Sequence, residues 1–470
     1  MSTLRSTFAL ATWMPVLAGL LFGGLMLLGG PPVLIMGVVA VMVAVAILTR
    51  PVRGFLLFCL IAPFVPWTTV TIGIRVTVSE ALLALTWGGI FWQRLMGRMP
   101  PLQKGPTERA MLRFMAWTIV PLIAGQFMVH EEGNGPVNWL RWLLNISTLF
   151  LVPMLITTEM LRKRMMDCLL LGFTAMLALS LGLFIKSPDA RSMIPVLSSL
   201  HYAHPEALLD IFTAMANRMA SPWVHPNSTG GALLLGVPLA MFYGVTQPGW
   251  RRALCLFVAL GGAAGIVFSG SRGALLSLTV LVIWLAYRRV PMAGRALLIG
   301  ALLSATMLIA YPPARERLAS LSQGSQDAST SVRFDEYKNF HRAVERYPLG
   351  LGFKVDTPAT GGGVFGISNL WLNYWYKLGL PGMLFFIAVT MAWWREVRQL
   401  GDLSKMNASN ALHVGSVGAM LAALMTGFID HYFSFTQVLI SLFWLTMAIS
   451  LQASRPLPAP AEPAANQART

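Results

Sequence analysis

Long apolar runs, separated by short polar segments, fill most of the chain up to about residue 451. A helix needs about 20 mostly apolar residues to cross a bilayer, and on this rule the sequence predicts about twelve to fourteen membrane-spanning helices. The approximate spans are 8–28, 32–48, 55–71, 78–93, 110–130, 138–157, 165–185, 230–245, 253–268, 273–287, 296–311, 370–394, 411–427 and 433–451. The pattern predicts an all-α polytopic membrane protein with a large helical outer loop.

Two long polar segments interrupt the apolar runs and suggest how the chain is organised. The predicted parts are N-terminal transmembrane helices (1–185), a first periplasmic loop (186–229), central transmembrane helices (230–311), a large periplasmic loop (312–368), C-terminal transmembrane helices (369–452) and a cytoplasmic tail (453–470). The tail is rich in Pro and Ala without a core-forming pattern, so we expect it to be disordered.

Basic residues in short loops set the orientation, because such loops stay in the cytoplasm. With the N-terminus inside, every short basic connection falls on the cytoplasmic side; these connections contain Arg50 and Arg53, then basic residues within 94–109, 162–164, 251–252, 288–295 and 395–405. Both long loops then lie outside. We therefore expect the polar residues of both loops to face away from the cytoplasm.

The composition supports the membrane assignment and excludes other classes. Hydrophobic residues make up 56% of the 470 residues and charged residues only 11%. The net charge of +16 is explained by the cytoplasmic loops, so we predict no nucleic-acid partner. Cys59, Cys168 and Cys255 lie inside apolar runs and read as packing residues. No metal-ligand spacing, phosphate loop or dinucleotide fingerprint occurs, so we predict no metal and no cofactor.

The first outer loop leads from an amphipathic segment to a group of polar residues. Apolar residues within 208–215 recur at helical spacing, which predicts a short helix at the membrane surface. Arg218 and the sequence His225-Pro226-Asn227 follow, directly before a span. Asn227 or Ser228 is expected to cap that span. The segment is either a cap beside a surface arginine or part of a binding site.

Arg272 lies between two apolar runs on the outer side, within the sequence Ser-Arg-Gly. A guanidinium at this depth must find an anion, backbone carbonyls or water. Gly270 and Gly273 allow the backbone to turn tightly and a ligand to approach. Arg272 either reaches lipid phosphate or binds a diphosphate, and we favour the diphosphate because arginine makes bidentate contacts to phosphate oxygens.

The large loop contains a second amphipathic segment. Its three- and four-residue spacing from Arg333 to Tyr347 predicts a helix, with Ser331 as its cap. Arg333, His341 and Arg342 could face an anionic ligand, although most charges on such a helix face water.

The span that follows this loop is rich in aromatic residues, and Asn369 and Lys377 are embedded in it. Gly379 and Pro381 are expected to break or kink it. The aromatic residues match an interfacial belt or could stack on sugar rings; they are Trp371, Tyr374, Trp375 and Tyr376.

Four short motifs occur in order along 208–384: an arginine before a Pro-Asn pair, the Ser-Arg-Gly turn, an arginine-led outer helix ending in Pro-x-Gly-x-Gly, and Asn-x-x-Leu at the start of the aromatic span. Their residues are Arg218, Pro226 and Asn227; Ser271, Arg272 and Gly273; Arg333, Pro348, Gly350 and Gly352; and Asn369 and Leu372. In these features the chain resembles the bacterial O-antigen ligase and O-antigen polymerase family of integral membrane glycosyltransferases.

The resemblance implies a bacterial inner-membrane enzyme whose active site faces the periplasm. It also implies transfer of a glycan from undecaprenyl diphosphate to an acceptor sugar hydroxyl. Ligases use lipid A–core as acceptor, whereas polymerases use another lipid-linked repeat unit. Family arginines matching Arg218 and Arg272 are thought to hold the diphosphate, and we add Arg333 as a third catalytic residue. The predicted substrate-binding residues are Asn227, His225, His341, Arg342, Ser368 and Asn369. The implied partners are the lipid-linked donor, the acceptor glycan or lipid, the membrane, and a chain-length regulator or other assembly protein.

Ligases typically carry a His-Asn pair where this chain has Ser368-Asn369, and serine is a poor general base. Polymerases do not uniformly require that histidine, so we favour polymerisation of an exopolysaccharide, capsule or O-antigen, with ligation as the alternative. Another base could come from His225, His341, Asp335 or Glu336. Two further hypotheses stay open: a transporter for lipid-linked glycans, and an inactive relative that acts as an assembly partner.

Overall fold

The computed structural model describes residues 35, 37–72, 74–99, 102, 104–129, 133–202, 205–213, 215, 218–290, 293–310, 312, 315, 328–354, 366–400, 409–436 and 438–455. The predicted span at 8–28 and most of the predicted tail, 456–470, lie outside these residues. Almost all described segments are helical, as predicted.

The first half of the chain forms ten helices and one hairpin. They are α1 (Gly37–Thr49), α2 (Pro51–Phe64), β1 (Thr69–Ile72), β2 (Ile74–Thr77), α3 (Val78–Leu95), α4 (Pro106–Trp117), α5 (Ile119–Met128), α6 (Gly135–Ile146), α7 (Thr148–Leu155), α8 (Glu159–Lys186), a 3-10 turn (Ala190–Met193), α9 (Ile194–Ser199) and α10 (Pro205–Thr213).

In the second half, the described residues form helices joined by turns and short loops. Its helices are α11 (Pro226–Val245), α12 (Gly249–Ser269), α13 (Arg272–Tyr287), α14 (Ala293–Ala310), α15 (Ala328–Arg346), α16 (Leu370–Leu400), α17 (Ala411–Thr426), α18 (Tyr432–Phe435) and α19 (Leu439–Ser454).

The chain forms two compact units. One comprises Met1–Phe55 and Ala84–Pro101, and the other comprises Leu56–Leu83 and Leu102–Thr470. In the first unit, the side-chain amide of Gln93 donates to the carbonyl oxygen of Thr49 at 3.0 Å. Every candidate site residue lies in the second unit.

The core of the second unit is built around α11, which packs against α12 and α17. Small residues allow this close packing: a Cβ added to Gly244 would lie 2.5 Å from the Cβ of Cys255. Within the apolar window of α11, 89% of the residues are buried, which is the pattern of a helix surrounded by other helices. Cys59 and Cys255 are buried, and the described cysteines are all free thiols, consistent with the predicted packing role.

Among the described residues, five helical segments are long and apolar enough to cross a membrane, and the bent pair α1 and α2 makes a sixth if it is one span. The five are Pro106–Met128, Glu159–Lys186, Pro226–Val245, Gly249–Ser269 and Leu370–Gln399. Other predicted spans correspond to shorter apolar helices such as α13, α17 and α19. Over the part of the chain that the structure describes, length and composition therefore support five or six complete spans, and the predicted spans at α13, α17 and α19 are shorter apolar helices.

A hairpin replaces the end of one predicted span. The sequence predicted a helix over 55–71, but α2 ends at Phe64 and β1 pairs with β2 in antiparallel register, with Thr69 opposite Thr77. Thr68 also forms an isolated antiparallel bridge with Tyr202. The run rich in valine and threonine favours strand geometry, and this local preference was missed.

Helix α16 is broken at Gly379, as predicted, where φ is 71° and ψ is 169°. The break frees backbone carbonyls that must find donors inside a membrane protein. The N–H of Leu351 donates to the Tyr376 carbonyl at 2.9 Å, and the N–H of Gly352 donates to the Lys377 carbonyl at 2.8 Å. The outer-loop turn thus completes the broken helix, which explains the glycines of the Pro-x-Gly-x-Gly motif.

We predict that Gly350→Ala destabilises the protein. Gly350 has φ of 92°, and an added Cβ would lie 2.5 Å from the Gly379 nitrogen, so the side chain would be strained and would clash with backbone. The left-handed conformation alone costs about 1–2 kcal/mol. The melting temperature of the detergent-purified protein should fall clearly. Gly300→Ala, in open space within α14, is the control; an equal loss in both variants would contradict this account.

Candidate functional site

Arg218 is buried and joins two helices at one end of the bundle. Its Nε donates to the carbonyl oxygen of Ser269, the last residue of α12, at 2.6 Å. Its Nη2 donates to Oδ1 of Asn227, near the start of α11, at 3.0 Å. Gly270 follows with φ of 64° and lies so close that an added Cβ would be 3.3 Å from the Arg218 Nε. Glycine suits this turn for two reasons: its φ is positive, and the Arg218 guanidinium leaves little room for a side chain.

Asp430 extends this contact across the bundle. Its Oδ2 accepts a hydrogen bond from Nδ2 of Asn227 at 3.1 Å, and the same oxygen lies 3.9 Å from Nη2 of Arg333. Only 13% of the Asp430 side chain is exposed, so these attractions are screened less than at an open surface. The carboxylate links Arg218, through Asn227, to Arg333. The structure thus brings together residues of two separate sequence motifs, Arg218 and Asn227 of one and Arg333 of the other.

The Ser-Arg-Gly turn adjoins this group. Ser271 packs against α11, since a Cβ added to Gly230 would lie 2.5 Å from the Ser271 Cβ. A Cβ added to Gly273 would lie 3.4 Å from Ile429, the residue before Asp430. Arg272, half-buried, begins α13 between these two contacts.

His225, rather than Asn227 or Ser228, caps α11. Its Nδ1 accepts the backbone N–H of Asn227 at 3.2 Å. Burial lowers the pKa of the His225 imidazole, and nearby Arg218 lowers it further. The ring is therefore kept neutral, the state in which Nδ1 can accept this hydrogen bond. The capping prediction was wrong, because α11 begins at Pro226, before both residues that were expected to cap it.

The outer-loop helix α15 begins at Ala328, so Ser331 lies inside the helix and the cap predicted there was wrong. Glu336 and Tyr337 hold the segment before α16: the Glu336 carboxylate accepts the N–H of Ser368 at 2.7 Å, and the Tyr337 hydroxyl donates to the Ser368 carbonyl at 3.2 Å. Burial raises the pKa of Tyr337, which keeps this donor protonated. Ser368 is thus bound to α15 through its backbone.

Asn369 caps α16. Its Oδ1 accepts the backbone N–H groups of Trp371 and Leu372, both at 3.0 Å. Its Nδ2 donates to the carbonyl of Phe428 at 3.3 Å, two residues before Asp430. The motif residue therefore fixes the start of α16 against the turn that carries Asp430.

His341 and Arg342 lie on an exposed part of α15. The His341 side chain is 79% exposed, and its Nε2 lies 3.0 Å from Oε1 of Glu345. No described contact brings either residue to Asp430. Of the three residues predicted on this helix, Arg333 is the one with a described contact to Asp430.

Asp430 and His431 were missed by the sequence reasoning. His431 Nδ1 lies 3.8 Å from Oδ1 of Asp430 and has no hydrogen-bond partner among the described residues. The other ring nitrogen of His431, Nε2, lies beside Gly366: a Cβ added to this glycine would be 3.1 Å from Nε2. The side chain is 35% exposed. The signal available was an acid and a histidine together between two apolar runs, a combination that marks function in membrane segments.

The apolar helices define a membrane protein. Arginines and one carboxylate meet at a helix end, and such a group suits an anionic ligand. Residues 255–387, a little over a quarter of the chain, match the family model described as O-antigen ligase, and this match supports the family resemblance predicted from the motifs. No curated protein matches the chain. The family is an enzyme family, so a glycosyltransferase-like role in assembling O-antigen or a related polysaccharide is supported, with a lipid-linked glycan in a membrane context.

We predict that His225 makes stability pH-dependent. Because its folded-state pKa is lowered, its stabilising effect is complete above the ordinary value of about 6.5 and is lost as the pH falls below it. The melting temperature should therefore drop more between about pH 7.5 and pH 5 in the wild type than in His225→Asn, whose cap does not titrate.

His225→Ala is the matched control for the cap itself. It should be about 1 kcal/mol less stable than His225→Asn at either pH, because alanine provides no cap. An identical pH response in the wild type and His225→Asn would show that another group titrates.

Proposed function

We propose that this protein transfers a glycan from undecaprenyl diphosphate to an acceptor sugar hydroxyl, on the periplasmic side of the inner membrane. The observation that carries the proposal is the group formed by Arg218, Asn227, Asp430 and Arg333, with Arg272 at its edge. Two arginines linked to one carboxylate, with a third arginine at the start of the neighbouring helix α13, leave an excess of positive charge, which suits a diphosphate.

In the proposed reaction, the acceptor oxygen attacks the anomeric carbon from the face opposite the diphosphate. The bond from this carbon to the diphosphate oxygen breaks, and its electron pair remains on the leaving group. Negative charge grows there as the bond breaks, so fixed guanidinium donors stabilise the transition state more than the ground state. The product is inverted at the anomeric carbon.

Arg218 has a positioning role in addition to its charge. Two of its donors are committed to Ser269 and Asn227, so the buried guanidinium is held in a fixed orientation at the edge of the proposed diphosphate site. Arg333 is held near Asp430 at 3.9 Å, longer than a hydrogen bond. It is therefore able to exchange the carboxylate for a bound phosphate.

We assign the role of general base to His431. Imidazole is the side chain that most readily exchanges protons near neutral pH. The Asp430 carboxylate, 3.8 Å from its Nδ1, would stabilise the imidazolium formed when Nε2 takes the acceptor proton. The Ser368 hydroxyl is a weaker base, and the Ser368 backbone already serves as a contact for α15.

The two candidate reactions differ in the acceptor that receives the glycan. We favour polymerisation, in which the acceptor is another lipid-linked repeat unit, because Ser368 replaces the ligase histidine. The family description names a ligase, and this makes transfer to lipid A–core or to a protein acceptor the second candidate.

We expect Arg272→Ala to lower polymer formation about a hundredfold, the typical cost of removing one transition-state donor. Arg272→Lys should also be defective, since lysine keeps the charge but not the bidentate geometry. Surface glycans from a deletion strain complemented with each variant, at matched membrane levels, should be separated by electrophoresis. Lys338→Ala, an exposed cation of α15, is the control.

The same gels separate the two reactions. A single capped repeat without long chains indicates a polymerase, whereas loss of all decoration with accumulation of lipid-linked polymer indicates a ligase. Near-normal chains in both Arg272 variants would remove Arg272 from the mechanism.

For the base, we predict that His431→Gln slows transfer by about 10²–10⁴-fold, the usual contribution of a positioned base. His341→Gln, at a side chain that is 79% exposed, should leave the rate close to that of the wild type. Initial rates in membranes containing equal amounts of each variant provide the measurement. A normal rate for His431→Gln together with a strong loss for His341→Gln would transfer the role to His341.

A further inference from the structure

A cavity of about 190 Å³ lies beside α18, one helical turn beyond His431. Its walls include Asn138 and Trp142 of α6, Lys354, and Phe435 of α18. None of these residues belongs to the arginine group. The cavity is smaller than pockets for drug-sized ligands, which begin at about 300 Å³. Its size suits one sugar ring.

Hydrogen bonds connect this cavity to the proposed base. The Ser434 hydroxyl donates to the His431 carbonyl at 2.5 Å and accepts from Nδ2 of Asn373 at 2.7 Å. Nε1 of Trp142, in the cavity wall, donates to the Ser434 carbonyl at 2.9 Å. A ligand in the cavity would thus contact the same short segment that positions His431.

Two ammonium groups make the cavity wall positive. Lys377 lies on the membrane-spanning helix α16 and is only 9% exposed. Its Nζ lies 3.4 Å from the carbonyl of Lys354, and the Lys354 Nζ donates to the carbonyl of Val129 at 3.0 Å. A buried lysine in a spanning helix is costly unless it serves a function.

The remaining wall is aromatic. The Trp142 and Phe435 rings are stacked with centroids 5.9 Å apart, and Phe353 meets both edge-on. Asn138 is fixed by a hydrogen bond from its Nδ2 to the Phe353 carbonyl at 3.1 Å, which leaves its Oδ1 as an acceptor for a hydroxyl. Aromatic surface, an amide and paired cations are the groups that recognise a sugar ring bearing a carboxylate.

We propose that this cavity binds an acidic sugar of the acceptor glycan, a uronate-type ring, and so places the acceptor hydroxyl beside His431. The proposal rests on the transfer reaction proposed above. The lysines bind the carboxylate, and the aromatic wall contacts the apolar face of the ring. The same cations could hold a free diphosphate, and the experiment separates these two ligands.

Direct binding to the full chain in lipid nanodiscs provides the test, by saturation-transfer NMR with methyl β-glucuronide, methyl β-glucoside and inorganic pyrophosphate as probes. We expect the glucuronide to bind at least about tenfold more tightly than the glucoside, because a charged hydrogen bond contributes about 1.5–3 kcal/mol. Lys377→Met should remove this preference. Lys354→Gln, at a half-buried side chain, should do the same and serves if Lys377→Met fails to fold.

Arg272→Ala is the control, since it should leave glucuronide binding unchanged. This variant separates the two proposals. Loss of polymer with intact glucuronide binding supports both the transfer reaction and the acceptor site. Intact polymer with intact binding overturns only the transfer mechanism. Equal affinity for glucuronide and glucoside, unchanged binding in both lysine variants, or displacement of glucuronide by pyrophosphate at equal concentration would overturn the acceptor site.

Discussion

The carboxylate of Asp430 is the interaction on which the proposed site depends. Guanidinium and amide groups at the ends of apolar helices are stable only when acceptors replace water. Asp430 provides such an acceptor for Asn227 and attracts Arg333, and Asn227 in turn accepts from Arg218. A single side chain therefore keeps positive charge concentrated at one helix end while leaving part of that charge available for a ligand.

The backbone around this carboxylate is fixed by several independent hydrogen bonds. The N–H of Leu370 donates to the Gly427 carbonyl at 2.6 Å, and Asn369 contacts Phe428. From the other side, Glu336 and Tyr337 of α15 bind Ser368. The starts of α11 and α16, the outer helix α15 and the turn after α17 thus share one platform. A site built from so many chain segments is positioned by tertiary contacts. Stabilising a developing charge requires donors that are held in place in this way.

Much of this arrangement could be predicted from local pattern. The apolar runs predicted a membrane protein, and the three- and four-residue spacing predicted α15. Gly379 and Pro381 predicted the break in α16. Arg218 and Arg333 stood out because charge is rare in such a chain. Asp430 did not, because its partner Asn227 is 203 residues away and no local rule pairs them. The hairpin at Thr69–Thr77 was missed for a different reason: a short apolar run fits a strand and a helix equally well.

The break in α16 has a mechanical meaning. The short half-helix from Leu370 to Leu378 receives hydrogen bonds from the turn at Leu351 and Gly352 beyond Tyr347, and the indole of Trp117 donates to the Leu378 carbonyl at 2.9 Å. Two of these hydrogen bonds join the half-helix to the outer-loop turn, and the third joins it to α4. The break in α16 therefore couples the outer loop to the helix bundle mechanically, since a displacement of the turn would reach α4 through the half-helix.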